Sequence, residues 1–145
     1  MAQYGALTTV SLAGRLATDV MSKEALRYLQ NAKDLLRQSP IEDDTYLDRK
    51  PVREAMGTAY LAILEAINES LLKKGLDKRE LPHSVEAVRR DLRKHFAARN
   101  GTLLREFEML YDALHIAGYY RGLIYNTTMV KDALRAARTF IGKLP

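Results

Sequence analysis

The stretch Pro51–Leu71, PVREAMGTAYLAILEAINESL, decides the fold of this chain. Its apolar side chains recur every three or four residues, as they do in an amphipathic helix. The apolar stripe is broad enough to contact neighbours on several sides, which is typical of the central helix of a bundle. We expect this helix to begin between Asp48 and Pro51, because proline in a first turn costs no helical hydrogen bond, and to end at Gly75.

Four further helices are predicted, each bounded by a capping residue, a proline or a glycine. They span Ser22 to Ser39-Pro40, Ser84 to Asn100-Gly101, Thr102 to Gly118, and about Thr128 to Lys143. The acidic segment Glu42–Asp44 is expected to be a loop. Because the connections are short, neighbouring helices should pack antiparallel. The sequence therefore predicts an all-α protein: an antiparallel bundle of about five helices with a four-helix core and no strands.

The first 21 residues are predicted to be an extension, frayed or weakly helical, ahead of a bundle domain at residues 22–145. Apolar residues are present there, but Gly14 and three threonines oppose a helix. Our hypothesis is that Met21 is a natural start. Deleting residues 1–20 is then expected to leave the thermal stability unchanged.

Composition limits the class of protein. With 145 residues, 47% hydrophobic and 28% charged, the chain fits one globular domain. The absence of cysteine excludes disulfides, thiolate metal sites and cysteine nucleophiles. No apolar run reaches the roughly 18 residues that a membrane span needs, and the amino end lacks the layout of a secretory signal. We expect a cytoplasmic protein without a membrane partner.

Positive charge is concentrated in one region. The segment from Lys73 to Arg105 holds ten basic and four acidic residues, whereas the net charge of the whole chain is +5. Such a stripe attracts phosphate backbones, and the alternative is a solvated helix face. The predicted nucleic-acid contacts, for RNA in particular, are Arg89, Arg90, Arg93, Lys94 and Arg99.

Within this stripe, Arg90, Asp91 and His95 form an arginine, a polar residue and, five positions after the arginine, a histidine. This spacing resembles the ribonuclease motif of HEPN domains, which are small helical bundles. The resemblance implies that His95 acts on the ribose 2′-hydroxyl or leaving group, that Arg90 stabilises the phosphate, and that Asp91 occupies the polar second position. On a straight helix, however, five positions separate two side chains by a net 140° or so, which weakens the motif.

The remaining groups that could carry chemistry favour structural roles. His83 follows a proline at a helix start and is interpreted as a turn residue. His115 lies beside an apolar row, where a half-buried histidine is ordinary. Zinc spacing, a calcium loop and a phosphate-binding glycine loop are absent from the sequence, so we predict neither a metal nor a cofactor. The segment Gly118–Gly122, GYYRG, can cap the end of the bundle or face a partner.

Three blocks of sequence indicate a family: Lys23–Lys33 (KEALRYLQNAK), Asp48–Val52 (DRKPV) and Tyr111–Gly122 (YDALHIAGYYRG). Through them the chain resembles a family of short bacterial proteins catalogued as a domain of unknown function. The resemblance covers about residues 22–143 and implies an all-helical bundle, distantly HEPN-like, with no established activity. Its candidate functional residues are Tyr28, Asn31, His115, Gly118 and Tyr120. The amide of Asn31 is expected to be buried and to hydrogen-bond across the bundle, to His115 for example.

Three hypotheses for function follow. The first is a non-catalytic bundle that acts by association, as a homodimer or with a partner protein, because the long central helix offers more apolar surface than one small bundle needs. The second is nucleic-acid binding through the basic stripe. The third is a HEPN-type ribonuclease that uses Arg90 and His95.

Overall fold

The computed structural model describes residues 22–96 and 101–145. The elements in chain order are α1 (Lys23–Leu36), β1 (Ile41–Glu42), β2 (Thr45–Tyr46), α2 (Arg49–Lys73), a 3₁₀ turn (Lys78–Glu80), α3 (Val85–His95), α4 (Thr102–Leu110), a π-helix (Tyr111–Tyr120) and α5 (Thr127–Lys143). The predicted extension at residues 1–21 lies outside the described residues, so its form stays a prediction.

The central position of α2 follows from a wide buried face, which takes up about half of its circumference. Twelve of its 25 residues are buried, from Pro51 to Leu71. The helix begins after Asp48, whose carboxylate accepts a hydrogen bond from the backbone N–H of Lys50. It ends in a Schellman motif, in which Gly75 has φ 101° and the next backbone N–H, of Leu76, donates to the carbonyl of Leu71 at 3.2 Å. Both predicted ends of this helix are confirmed.

Serine side chains cap two further helices as predicted. The hydroxyl of Ser22 accepts from the N–H of Ala25 at the start of α1, and the hydroxyl of Ser84 accepts from the N–H of Ala87 at the start of α3. The predicted end of the third helix at Asn100-Gly101 is wrong, because α3 ends at His95 and the left-handed Gly101, with φ 73°, precedes the next helix. The predicted cap Thr102 is wrong, because Gly101 occupies the N-cap position and Thr102 is the first residue of α4.

Two predictions about connections and strands are corrected. The acidic segment is part of a two-stranded antiparallel ribbon, in which Ile41 pairs with Tyr46 and Glu42 with Thr45. Asp43 and Asp44 form its turn with φ values of 49° and 57°. These left-handed values at both central residues are those of a type I′ turn, whose twist matches that of the strands.

The fourth predicted helix neither ends at Gly118 nor remains an α-helix. It changes at Tyr111 into a π-helix that continues to Tyr120. The fifth helix begins at Thr127, after Asn126 accepts a hydrogen bond from the N–H of Met129. The ribbon is fixed beside this start, because the N–H of Tyr46 donates to the carbonyl of Tyr125 at 2.9 Å.

The described helices pack around α2. The most extensive contacts of α2 are with α1, the π-helix and α5, and α3 packs against α4. The core side chains come from all of these helices; the largest of the fully buried ones are Phe107, Phe140, Met56, Ile63 and Ile67. The predicted all-α bundle is confirmed, with the ribbon as its one addition among the described residues.

Candidate functional site

An aromatic column joins the π-helix to α2. Side chains four residues apart stack in sequence: the ring centroids of Phe107 and Tyr111 are 6.3 Å apart, those of Tyr111 and His115 5.4 Å, and those of His115 and Tyr119 5.9 Å. From α2, the ring of Tyr60 contacts three of the four and lies 4.8 Å from His115. Stacked rings of this kind stabilise a contact beyond the area that they bury.

The change of helix type keeps these rings in line. An α-helix has 3.6 residues per turn, so a four-residue step rotates past a full turn. A π-helix has i→i+5 hydrogen bonds and more than four residues per turn, so the same step falls short of one. Of the four side chains spaced by four residues, Phe107 lies on α4 and the other three lie on the π-helix. The α-helical step rotates past a full turn and the π-helical steps fall short of one, so the two deviations partly cancel.

Gly118 permits the close approach of the π-helix to α2. A Cβ atom built at this position would lie 2.8 Å from the backbone oxygen of Ala113 and 2.8 Å from the Cβ of Met56. The first clash arises from the wide turn itself, since Ala113 lies five residues earlier, and the second from the neighbouring helix. Any side chain larger than hydrogen would force the two helices apart.

Arg53 of α2 caps the carboxyl end of the π-helix. Its Nε donates to the carbonyl oxygen of Tyr119 at 2.8 Å, and its Nη2 donates to that of Tyr120 at 2.6 Å. A guanidinium at this end also complements the negative end of the helix dipole. The ring of Tyr119 packs over Gly57, whereas the side chain of Tyr120 is 69% exposed. Tyr119 therefore packs against the bundle, whereas Tyr120 faces solvent, and a partner at this segment stays a prediction.

Electrostatic contacts surround the column. The Nε and Nη2 of Arg89 donate to the two carboxylate oxygens of Glu108 at 2.5 and 3.1 Å, and its guanidinium lies 5.4 Å from the ring centre of Tyr111. Hydrogen bonding to Glu108 raises the pKa of Arg89 above its ordinary value. Burial, and next the neighbouring Tyr111, raise the pKa of Tyr60 to about 12. The arrangement thus holds charged and aromatic groups in fixed structural contacts.

The predicted nucleic-acid contacts that the structure describes differ in their exposure and in their ion pairs. Arg89 is committed to Glu108 and Glu86, both acidic, through ion pairs. Arg90, Arg93 and Lys94 are exposed on α3. Arg99 lies outside the described residues. Three of the five cations are therefore placed where a phosphate could reach them, and nucleic-acid binding stays a prediction.

The predicted ribonuclease residues are separated by their burial. Arg90 is exposed, and its Nε lies 3.8 Å from the Oδ1 of Asp91. Asp91 is buried, and its Oδ2 has no hydrogen-bond partner among the described residues. No hydrogen bond or ion pair within the described part of the chain joins Arg90 to His95, which is half-buried at the end of α3. A HEPN-type site would need the two to meet across an interface, and it stays a prediction.

The residues singled out by the family resemblance lie on two elements that pack mainly on α2. Tyr28 and Asn31 are on α1, whereas His115, Gly118 and Tyr120 are on the π-helix. Asn31 is exposed, so the prediction of a buried amide that bonds to His115 is wrong. The buried row of α1 is Ala25, Leu29, Ala32 and Leu36, and Asn31 lies beside that row.

Within residues 22–96 and 101–145, no group of three or more histidine, aspartate and glutamate side chains could hold a metal ion. No helix in these same ranges is both long and apolar enough to cross a bilayer. His83 is exposed in the turn before α3, where the sequence placed it.

The structure also has a groove that the sequence did not predict, which we name the neutral groove. This groove of about 480 Å³ lies between α5 and the junction of α4 with the π-helix; its apolar side chains are Met109, Leu110, Ala113, Ala133 and Ala136. Met109 at its edge is 72% exposed. Two ion pairs neutralise the rim: Lys143 with Glu106 at 2.6 Å, and Arg135 with Asp132 at 3.5 Å. Its only sequence signal is Met109 itself, an apolar residue off the buried row of its helix.

Comparison with known proteins places this fold in a family. Residues 20–144 match the model of the family described as a domain of unknown function (DUF5618). A solved structure of a protein of unknown function from Dyadobacter fermentans is 32% identical, with a TM-score of 0.65, over 81% of this chain and 88% of that one. None of the curated proteins matches the chain. The family resemblance predicted from three blocks is thereby confirmed, and because the match spans most of its length, the chain belongs to the DUF5618 family.

Proposed function

We propose that the protein acts by association rather than by catalysis, as a homodimer whose two copies meet at the neutral groove. The observation that carries the proposal is the combination of an exposed methionine and an apolar groove on one face. A two-fold interface needs a surface that is complementary to itself. A methionine that stands beside a groove satisfies this requirement, since the Met109 side chain of each copy can enter the groove of the other.

Charge supports a second copy as the occupant. The core of a protein interface is depleted in charged residues and enriched in residues such as methionine. At the neutral groove, each cation of the rim already has an acidic partner in its own chain. Covering the groove therefore leaves no charge without a counter-charge, and two copies of a neutral face do not repel each other.

This interface bears on the ribonuclease alternative. The neutral groove is lined by α4, the π-helix and α5, whereas Arg90 and His95 are on α3. Pairing through this groove does not by itself bring an arginine of one copy to a histidine of the other. A dimer that depended on α3 instead would favour the composite site of a nuclease.

The substitution Met109→Glu tests the proposal. It places a carboxylate in the proposed interface, where burying an unpaired charge is costly, but leaves a monomer largely unaffected because the residue is 72% exposed. Light scattering on the full chain should give twice the 16.4 kDa of one chain for the wild type and a single chain mass for this variant.

The matched control is Met129→Glu. Met129 is 54% exposed, lies in the first turn of α5 and does not line the neutral groove. This variant should remain dimeric. A wild type that stays monomeric at high concentration contradicts the proposal, and a dimer that survives Met109→Glu removes the neutral groove as its interface.

A further inference from the structure

A second groove lies along the other flank of α5. It has a volume of about 670 Å³ and is bounded by α1, the ribbon and α5. Its floor is apolar and comes from Leu29 and Leu36 of α1, Tyr46 of β2 and Leu134 of α5, each less than a tenth exposed. Ile41 at its edge is 57% exposed, so an apolar side chain already stands in solvent there.

Five cations line this groove, which we name the basic groove: Lys33, Arg37, Lys131, Arg135 and Arg138. No acidic residue appears among its lining side chains in the described part of the chain. Two acidic residues outside the lining form ion pairs with two of these cations: Asp34 with Arg37 at 3.4 Å, and Asp132 with Arg135 at 3.5 Å. Lys33, Lys131 and Arg138 have no ion pair with an acidic side chain in the described part of the chain, so the rim keeps a positive charge.

The cations stand on both walls. Lys33 and Arg37 are four residues apart on α1, so they share one face of that helix. Lys131, Arg135 and Arg138 follow at intervals of four and three residues on α5, and their row is about 10 Å long at 1.5 Å per residue. An apolar floor therefore runs between two rows of positive charge.

We propose that the basic groove binds an acidic amphipathic helix of a partner protein. Amphipathic helices commonly bind by placing their apolar stripe in a groove, with anchors at positions i, i+3, i+4 and i+7. A helix whose stripe is flanked on both sides by aspartate or glutamate would place its leucines on the floor and its carboxylates against both walls. Complementary charge of this kind selects the partner and accelerates its association.

The placement of charge separates this occupant from two others. A single-chain anionic lipid has its charge at one end, so it would need cations at one end of the groove rather than along both walls. A second copy of this chain would bring its own basic rim to the site, and like charges facing each other oppose association. Arg135 lines both grooves, but their other lining residues differ and the homodimer uses the other flank of α5, so the two proposals can be tested separately.

The probe is a fluorescein-labelled peptide of about 14 residues, which as a helix is about 21 Å long. It carries leucine at i, i+3, i+4 and i+7 with glutamate on both sides of that stripe. Two control peptides have lysine in place of every glutamate, or the same composition in shuffled order. Fluorescence anisotropy with the full chain should show saturable binding of the first peptide, and binding of the controls should be weaker by about tenfold or more.

Matched charge reversals locate the site. The double variant Lys33→Glu with Lys131→Glu changes one cation on each wall and should weaken peptide binding by about tenfold or more. Arg93→Glu with Lys94→Glu makes the same change of net charge on α3 and should leave binding within about twofold. Circular dichroism verifies that both variants are folded. Met109→Glu should bind the peptide as the wild type does, which separates this result from the oligomeric state.

Several results would overturn the proposal. Equal binding of the shuffled peptide, or equal loss in both double variants, would show attraction to net charge without a defined site. Dodecanoate or anionic phosphatidylglycerol vesicles that bind in preference to the peptide, and that lose binding in the groove variant, would show a lipid site instead. Absence of peptide binding by the wild type at low salt would also contradict it.

Discussion

At Gly118, the addition of a single methyl group is expected to destabilise the fold. In Gly118→Ala, the new Cβ meets a backbone oxygen and the buried Met56, and neither can move freely. Overpacking of this kind costs typically about 1–3 kcal/mol. Urea denaturation should therefore show a loss of that size in the free energy of unfolding.

The comparison for this variant is Gly57→Ala. The three atoms nearest to its Cβ all belong to the ring of Tyr119, which is 46% exposed and can swing toward solvent. The helix propensity of alanine exceeds that of glycine by about 1 kcal/mol, which offsets the lost ring contact. Gly57→Ala should thus cost less than Gly118→Ala. Equal losses would mean that the approach of the π-helix to α2 is not limited at Gly118.

Single residues were predictable from the sequence where their role is local. Ser22, Ser84 and Gly75 act on backbone groups within a few positions, so their residue types indicate their roles. Asn31 was mispredicted, because its burial depends on the rotation of a whole helix. The row Ala25, Leu29, Ala32, Leu36 repeats every three or four residues and excludes position 31, so the error lay in reading an apolar neighbourhood as a buried face.

At the scale of elements, the contact between α2 and the π-helix should weaken at high pH. The pKa of Tyr60 is about 12 in the folded chain, against about 10 for an unperturbed tyrosine. Below pH 10 the phenol is protonated in both states, so its contribution to stability is complete. Above pH 10 only the unfolded chain releases this proton, and the free energy of unfolding falls until the folded state also titrates near pH 12.

Tyr60→Phe isolates this contribution, because phenylalanine keeps the ring and removes the titrating hydroxyl. Between pH 9 and pH 11 the wild type should lose about 1 kcal/mol more unfolding free energy than the variant does. Urea denaturation of both proteins at the two pH values measures the difference. Parallel losses in the two proteins would show that the Tyr60 hydroxyl titrates alike in the folded and unfolded chain.

Helix positions were predictable, but helix type and the ribbon were not. The row Phe107, Tyr111, His115, Tyr119 has the four-residue spacing of a helix, but this spacing does not distinguish a π-helix from an α-helix. Gly118 was interpreted as a terminator, because a glycine after an apolar row commonly ends an α-helix. The ribbon had a weak signal in Asp43-Asp44 beside the β-prone pair Thr45-Tyr46, since aspartate tolerates the left-handed backbone of a type I′ turn.

At the scale of the whole molecule, the sequence predicts the bundle but not its surfaces. Each groove is formed by residues far apart in the chain: Leu29 and Leu134 share the floor of one, Met109 and Ala136 line the other. The basic groove collects cations from α1 and α5, outside the stripe from Lys73 to Arg105 in which the sequence concentrates its positive charge. Charge counted along the chain therefore pointed to α3, whereas the fold brings together a second cationic surface.

A homodimer makes stability depend on concentration, because dissociation accompanies unfolding and is opposed by mass action. Raising the wild-type concentration about a hundredfold should increase the melting temperature by roughly 4 °C, which corresponds to a little over 1 kcal/mol per chain at this size. Met109→Glu should melt at one temperature at all concentrations, and Met129→Glu should follow the wild type. Scanning calorimetry measures all three. If the melting temperature of the wild type does not change with concentration, dimerisation does not contribute to the stability of this bundle.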